Sequence, residues 1–213
     1  WHAAGQLLCG RDVTAVLGNA AQVRGFLAAN GLQDHPRQLD SDDPGCVLDM
    51  ADLQVEVRAG EDIIPLGDAP RALVEEWRTA YEVEALNMAP EAARKKAAKD
   101  IATFIANDSH RVLLAEGQPV AMSGYNTAFD EAVQVGGVYT PPALRGKGYA
   151  RRVVGRHMAQ VRARGARQAV LFAASAAAAR AYTAVGFCPA GTFALVLFSK
   201  PAQIRAASVE GRT

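Results

Sequence analysis

The sequence predicts an α/β (α+β) fold: a mixed, mostly antiparallel central sheet flanked by helices, with a small N-terminal α/β extension. Three observations predict it. Two apolar stretches, His110 to Ala115 and Val120 to Tyr125, flank Glu116-Gly117-Gln118-Pro119 and read as a hairpin, which a third strand over 133–140 extends into an antiparallel run. That third strand leads through a Gly-rich connection into a long helix from about Tyr149. A further apolar strand, Gln168 to Ala173, then returns as a parallel neighbour would.

At 213 residues, half of them apolar and with a net charge of +1, the chain is long enough for a substantial core and too apolar for wholesale disorder. No apolar run approaches the roughly 20 residues that span a bilayer, and no basic-then-apolar signal opens the chain. The first residue is Trp1 rather than Met, which leaves an upstream segment open. Cys9, Cys46 and Cys188 are far apart, with neither a Cys-x-x-Cys pair nor a His at ligand spacing. Free thiols in a reducing cytoplasm, and no metal, are the expectation.

Residues 1–62 read as a separate small unit. Val13 to Leu17 suits a strand, Asn19 a helix cap, Ala20 to Ala29 a helix closed by Asn30-Gly31, and Val47 to Arg58 one or two strands. Nine acidic residues fall between Asp34 and Asp62, and Asp40-Ser41-Asp42-Asp43-Pro44-Gly45 reads as a solvated loop. The main domain is expected over 63–200, with 201–213 as a tail. Ile63 to Leu66 opens it as a short strand. From Ala72, Leu73, Trp77, Ala80, Tyr81 and Leu86 share one helical face, with Glu75, Glu76, Arg78, Glu82 and Glu84 mostly elsewhere. A second helix begins at Pro90, which suits a first-turn position, and Thr192 to Phe198 supplies a last strand.

The informative stretch is Ala132 to Arg167. The double proline Pro141-Pro142 removes two backbone donors and ends the strand near Thr140. Beyond it Ala150, Val153, Val154, His157, Met158 and Val161 recur at helical spacing, leaving Arg151, Arg152, Arg156 and Arg162 for a basic outer face. At the junction, Gly146 and Gly148 allow backbone conformations closed to other residues. The first N–H groups of a helix have no partner within it and carry partial positive charge, so with Arg145 and Lys147 the turn is an anion site. A nucleotide P-loop is excluded because Gly148 rather than Ser or Thr follows Lys147. A dinucleotide fingerprint is excluded because Arg151 holds the place of its third small residue.

The pattern Arg145-Gly146-Lys147-Gly148-Tyr149-Ala150, after a strand and opening a helix, resembles the acyl-CoA loop of the GNAT (GCN5-related) N-acetyltransferase superfamily. Downstream, Ser175 to Phe187 is similar to that family's second motif, with Ala178, Tyr182, Gly186 and Phe187 matching and Ser175 standing where Asn is commonest. The resemblance covers roughly residues 60 to 200. It implies acetyl-CoA as co-substrate and direct attack of an amine on the thioester. It further implies that Arg145, Gly146, Lys147, Gly148, Tyr149 and Ala150 meet the CoA pyrophosphate, that Val138, Tyr139 and Thr140 supply backbone groups to the pantetheine arm, and that Ser175 makes a further cofactor contact. Trp77, Tyr81, Glu84 and Asn87 are the implied acceptor contacts and Tyr182 the implied general acid. For the base, Glu84, Glu131 and His157 are candidates and none is chosen.

The acceptor is expected to be a small-molecule or peptide amine. Neither nucleic acid nor a membrane is expected as partner, and a homodimer is left open. Two other readings remain: an acyl-CoA sensor without catalysis, because no base stands out, and a nucleic-acid-binding module. The latter draws on seven Arg and one Lys, with no acidic residue, between Arg145 and Arg167.

Overall fold

The computed structural model describes residues 1–129, 131–173 and 176–204, with the side chains of 176 and 177 left aside. Contacts divide the chain into two compact units, Trp1–Asp43 together with the chain from Gly191 on, and Pro44–Ala190. The sequence suggests contiguous domains with breaks after 62 and 200. Contacts group a late strand with the N-terminal segment.

In the first unit α1 (His2–Leu7), β1 (Asp12–Asn19) and α2 (Ala20–Ala29) follow one another. Asn19 caps α2 as its sequence suggests, its side-chain oxygen accepting from the Gln22 N–H at 3.3 Å. Val23, Phe26, Leu27 and Leu32 pack with Ala194, Val196, Phe198 and Ala202. The latter four belong to β8 (Cys188–Gln203), which pairs antiparallel with β1 through Ala15 to Leu197 and Val16 to Val196. The acidic stretch Asp40 to Gly45 is not a loop but part of β2 (Arg37–Asp49). Arg24 explains it: its guanidinium bridges Asp40 at 2.7 Å and Asp42 at 2.5 Å, offsetting the repulsion that would otherwise favour a solvated turn. Strand structure then stops at Asp49 rather than continuing to Arg58. A single tight turn over Met50–Asp52 follows, the Ala51 N–H donating to the Asp49 carboxylate at 2.9 Å.

The second unit holds the end of β2, then β3 (Glu61–Pro65), α3 (Arg71–Leu86), α4 (Pro90–Ala106), β4 (His110–Ala115), β5 (Gln118–Phe129), β6 (Ala132–Tyr139), α5 (Tyr149–Ala163), β7 (Gln168–Phe172) and α6 (Ala176–Thr183). Its strands lie in the order β2-β7-β6-β5-β4-β3, antiparallel except for the β6–β7 pair. The β4–β5 hairpin turns through Glu116 (φ 50°) and Gly117 (φ 73°), both left-handed, as a two-residue turn matched to strand twist requires. Successive β4 residues serve opposite faces. Val112 joins Val74, Trp77, Ile101, Met122 and Tyr139 beneath α3 and α4, whereas Leu113 joins Val153, Val154, Met158, Val135 and Leu171 beneath α5.

Polar residues enter these layers at two places the helical pattern puts outside. Arg152, assigned to the basic face of α5, is 2 % exposed, because Glu61 of β3 is there to receive it. Arg78 and Glu82, assigned to the polar face of α3, are buried between α3 and α4, where Arg78 Nε donates to Asp100 at 2.8 Å and Lys96 Nζ to Glu82 at 3.0 Å. Pairing across elements keeps these charges inside, and single-helix periodicity does not contain that information.

Candidate active site

Strands β6 and β7 run parallel, but their register covers only Ala132–Gln168, Val133–Ala169 and Gln134–Val170. Beyond it the two strands flank a cavity of about 200 Å³, lined by Val135, Gly136, Gly137 and Val138 on one side and Leu171, Phe172 and Ala173 on the other, with Tyr81, Ala85, Ala178 and Tyr182 closing it. A bulge accompanies the divergence. From Met122 to Gly124 on β5 is two steps, while their partners Tyr139 and Gly136 are three apart, so β6 carries one extra residue. Gly137, at φ 62°, takes the left-handed conformation, and a Cβ there would lie 2.9 Å from His110 Nε2.

At the end of β6, Pro141 and Pro142 start a tight turn, and the chain reaches α5 through Gly146 (φ 79°) and Gly148 (φ 78°). Gly148 is the N-cap of α5 and brings no side-chain hydrogen bond to it. A second cavity of about 330 Å³ opens on this turn, lined by Thr140, Leu144, Arg145, Gly146, Gly148, Tyr149, Ala150, Arg151 and Ala181. Thr140 Oγ1 is buried without a partner among the described residues, and Lys147 is exposed. A Cβ at Gly148 would lie 2.8 Å from Arg152 Nη1 and 3.3 Å from Arg151 Nε, whereas one at Gly146 meets nothing within 4 Å. The uncapped helix start, the orphaned hydroxyl and the two cations are the donor set that a phosphate group fits.

The charges around this turn are already engaged. Arg145 donates to the Thr140 carbonyl at 2.9 Å and to Glu84 at 2.6 Å, and Tyr139 donates to the other Glu84 oxygen at 3.3 Å. Burial, and then the Glu84 charge, hold the Tyr139 hydroxyl above the usual phenol range. Arg151 pairs with Glu56 at 2.9 Å. Beneath the turn, Arg152 makes a two-pronged pair with Glu61, at 3.0 and 2.7 Å to the same oxygen and 2.9 Å to the other, and donates from Nη1 to the Lys147 carbonyl at 3.0 Å.

Tyr182 is 9 % exposed and lies edge-on to Phe187, ring centroids 6.0 Å apart. Burial raises its hydroxyl well above the usual phenol range, with smaller contributions from Tyr81 and Cys46, so it stays protonated at any working pH. Trp77 is buried in the core 6.3 Å from the Tyr139 ring, and Tyr81 borders the first cavity. Asn87 is exposed and ends α3 in the left-handed conformation at φ 51°. Ser175 lies outside the described residues.

Of the three base candidates, Glu84 is held by Arg145 and Tyr139. Glu131 precedes β6, at the opposite end of that strand from Tyr139, and pairs with Arg167 at 3.0 Å. His157 is 1 % exposed, contacts Ser123 Oγ at 3.4 Å, and is pushed down to about 3 by burial first and then by the charges of Arg111 and Arg164. None of the three is brought to the cavity beside Tyr182. Sequence reasoning passed over Glu61, Arg78 and His110. His110 stacks on Phe104 at 3.7 Å with its Nδ1 2.8 Å from Ser109 Oγ. β3 brings Glu61 to Arg152 of α5, and His110 of β4 and Arg78 of α3 meet at Gly137 of β6; one helical or strand period shows none of this.

The family model described as Acetyltransferase (GNAT) family matches residues 71–187. No curated protein matches the sequence. Among solved structures the chain is similar to a GCN5-related N-acetyltransferase from Kribbella flavida, with 19 % identity, a TM-score of 0.53 and 84 % of this chain covered against 63 % of that one. It is also similar to an acetyltransferase of the GNAT family from Novosphingobium aromaticivorans, with 18 % identity, a TM-score of 0.53 and 94 % and 80 % covered. A third is a tandem GNAT protein from the clavulanic acid biosynthesis pathway, at 16 % identity and a TM-score of 0.59, with 98 % and 70 % covered. These likenesses concern the fold, and the chain spans less than two thirds of the Kribbella flavida protein.

Proposed function

The chain belongs to the acetyltransferase (GNAT) family, and from that premise we propose that it moves an acetyl group from acetyl-CoA to a primary amine by direct attack. The observation that carries the proposal is the pair of cavities along the end of β6, one at a glycine-lined helix start and one between the diverging strands beside Tyr182. Acetyl-CoA supplies an acyl group activated as a thioester, with a thiolate to leave.

The residues divide the work. Backbone N–H groups from Gly146 to Ala150, with Arg145 and Lys147, hold the pyrophosphate. Val138 to Thr140, beyond the last residue pair between β6 and β7, offer backbone groups to the pantetheine arm. Ser175 stays part of this proposal from its motif alone. Tyr81, with Trp77 behind it and Glu84 and Asn87 at the end of α3, borders the amine's approach. Tyr182 holds a proton where the departing sulfur gains negative charge. An ordinary thiol has a pKa of about 8.5, below that of even an unperturbed phenol, so Tyr182 acts by donating a hydrogen bond more than by giving up its proton outright. An alkylamine, with an ordinary pKa of about 10.4, must lose a proton before attack. With the three candidate side chains engaged or remote, water at the open side of the cleft serves that need.

The three cysteines are free, which suits a reducing cytoplasm. No helix among the described residues is long and apolar enough to cross a membrane. The test is a screen of amines, amino acids, aminoglycosides and peptides with acetyl-CoA, read by release of free thiol. Turnover on one class supports transfer. Acetyl-CoA binding without turnover on any of them favours the sensor reading, and no binding rejects both.

A further inference from the structure

Resting on that reading, we infer that Arg152 is a positioning residue: it fixes the Lys147–Gly148 peptide so that the Gly148 N–H faces the pyrophosphate. A trans peptide points its carbonyl oxygen and its N–H in opposite directions. Arg152 Nη1 lies beneath the turn and takes the Lys147 carbonyl at 3.0 Å. With that oxygen drawn inward, the N–H of the same peptide is turned outward, toward the cavity lined by Gly146, Gly148, Tyr149 and Ala150.

Two further contacts keep the guanidinium in place. Its Nε and Nη2 form the fork on the Glu61 carboxylate, a pair whose side chains are 1 % and 4 % exposed. Tyr149, the first residue of α5, has its ring 4.9 Å from the guanidinium carbon. The planar group therefore uses one edge on Glu61 and the remaining nitrogen on the loop, a division that a lysine ammonium cannot reproduce. Gly148 fits the same geometry, since a Cβ there would stand 2.8 Å from Nη1 and push the guanidinium off the carbonyl. Without Arg152 the peptide is free to rotate, and its carbonyl oxygen would then face the anion in place of an N–H.

The test uses the full chain and two acyl donors, acetyl-CoA and S-acetylpantetheine, the second of which lacks the pyrophosphate together with the adenosine 3′-phosphate it carries. Affinity for each is measured by calorimetry or by competition. The double variant Glu61→Gln with Arg152→Gln removes both buried charges together, and Arg152→Lys keeps the charge but not the fork. Each is expected to reduce the preference for acetyl-CoA over S-acetylpantetheine at least tenfold. A merely structural role would weaken both donors in parallel and leave that ratio alone. Folded variants with an unchanged ratio overturn the inference while leaving acetyl transfer standing, and should the double variant fail to fold, Arg152→Lys decides alone. Failure of the unaltered protein to bind acetyl-CoA would remove the functional reading as well.

Discussion

The two ends of β6 offer contrasting cavities. The larger, about 710 Å³, lies at the start of the strand between Asp49, Phe129, Glu131, Arg162, Arg167 and Gln168, where β6 and β7 are in register and the charges are exposed side chains. The smaller ones, about 200 and 330 Å³, lie roughly 20 Å away at about 3.3 Å per residue, where a bulge, three left-handed glycines and a bare helix start leave backbone groups free. Volume alone would choose the first. What marks the other end is backbone that regular structure has released, held in place by buried charge.

The largest expected effect tests that support. Glu61→Ala strands Arg152 in the interior, and leaving one member of a buried pair unpaired costs about 3–5 kcal/mol. At the opposite end Arg167→Ala breaks a pair whose side chains are 76 % and 56 % exposed, which is worth less than about 1 kcal/mol. Urea unfolding of both proteins measures the contrast, and equal losses would dissolve it.

Next is Gly148→Val. It forces a β-branched residue to φ 78° and into Arg152, a strain of order 1–3 kcal/mol, and it fills space a phosphate would use. Acetyl-CoA affinity should fall by roughly 30-fold or more, 2 kcal/mol being about that factor. Calorimetry on the folded variant checks it, with Arg167→Ala as the control that keeps full affinity.

Tyr182→Phe keeps the ring and removes the hydroxyl. On an identified amine, kcat should drop at least about tenfold, toward the low end of positioned proton donors, with the KM for acetyl-CoA nearly unchanged. Full turnover would show that Tyr182 only packs against Phe187.

Acid acts on two buried histidines. His110, against the bulge, and His157 are both held down to about 3, chiefly by burial. Their folded values lie below the ordinary 6.5, so the unfolded chain binds protons first as pH falls. Stability is then full above about 6.5 and is lost progressively toward 3, at up to about 1.4 kcal/mol per pH unit for each histidine. Unfolding measured at pH 7 and pH 5 should differ accordingly, and equal values would mean that these histidines are not buried neutral.

Much of this was legible beforehand because local patterns reported local structure. Pro141-Pro142, Gly146 and Gly148 mark the end of β6 and the start of α5, and Asn19 marks α2. What could not be read were pairings between elements distant in sequence. Arg152 looks like an outward arginine until Glu61, ninety-one residues earlier, is placed beneath it by β3. Asp40 and Asp42 look like a loop until Arg24 faces them. Glu131 looked as eligible a base as Glu84, since sequence position does not say which end of a strand is functional.

The central claim is that the released backbone at the end of β6 receives acetyl-CoA, and backbone amide shifts on titration with acetyl-CoA test it most directly. The amides of Gly146, Gly148, Tyr149, Ala150 and Val138 should shift strongly while those of Ala132, Arg167 and Gln168 stay in place. Shifts concentrated on Ala132, Arg167 and Gln168, with the Gly146–Ala150 turn unmoved, would contradict it.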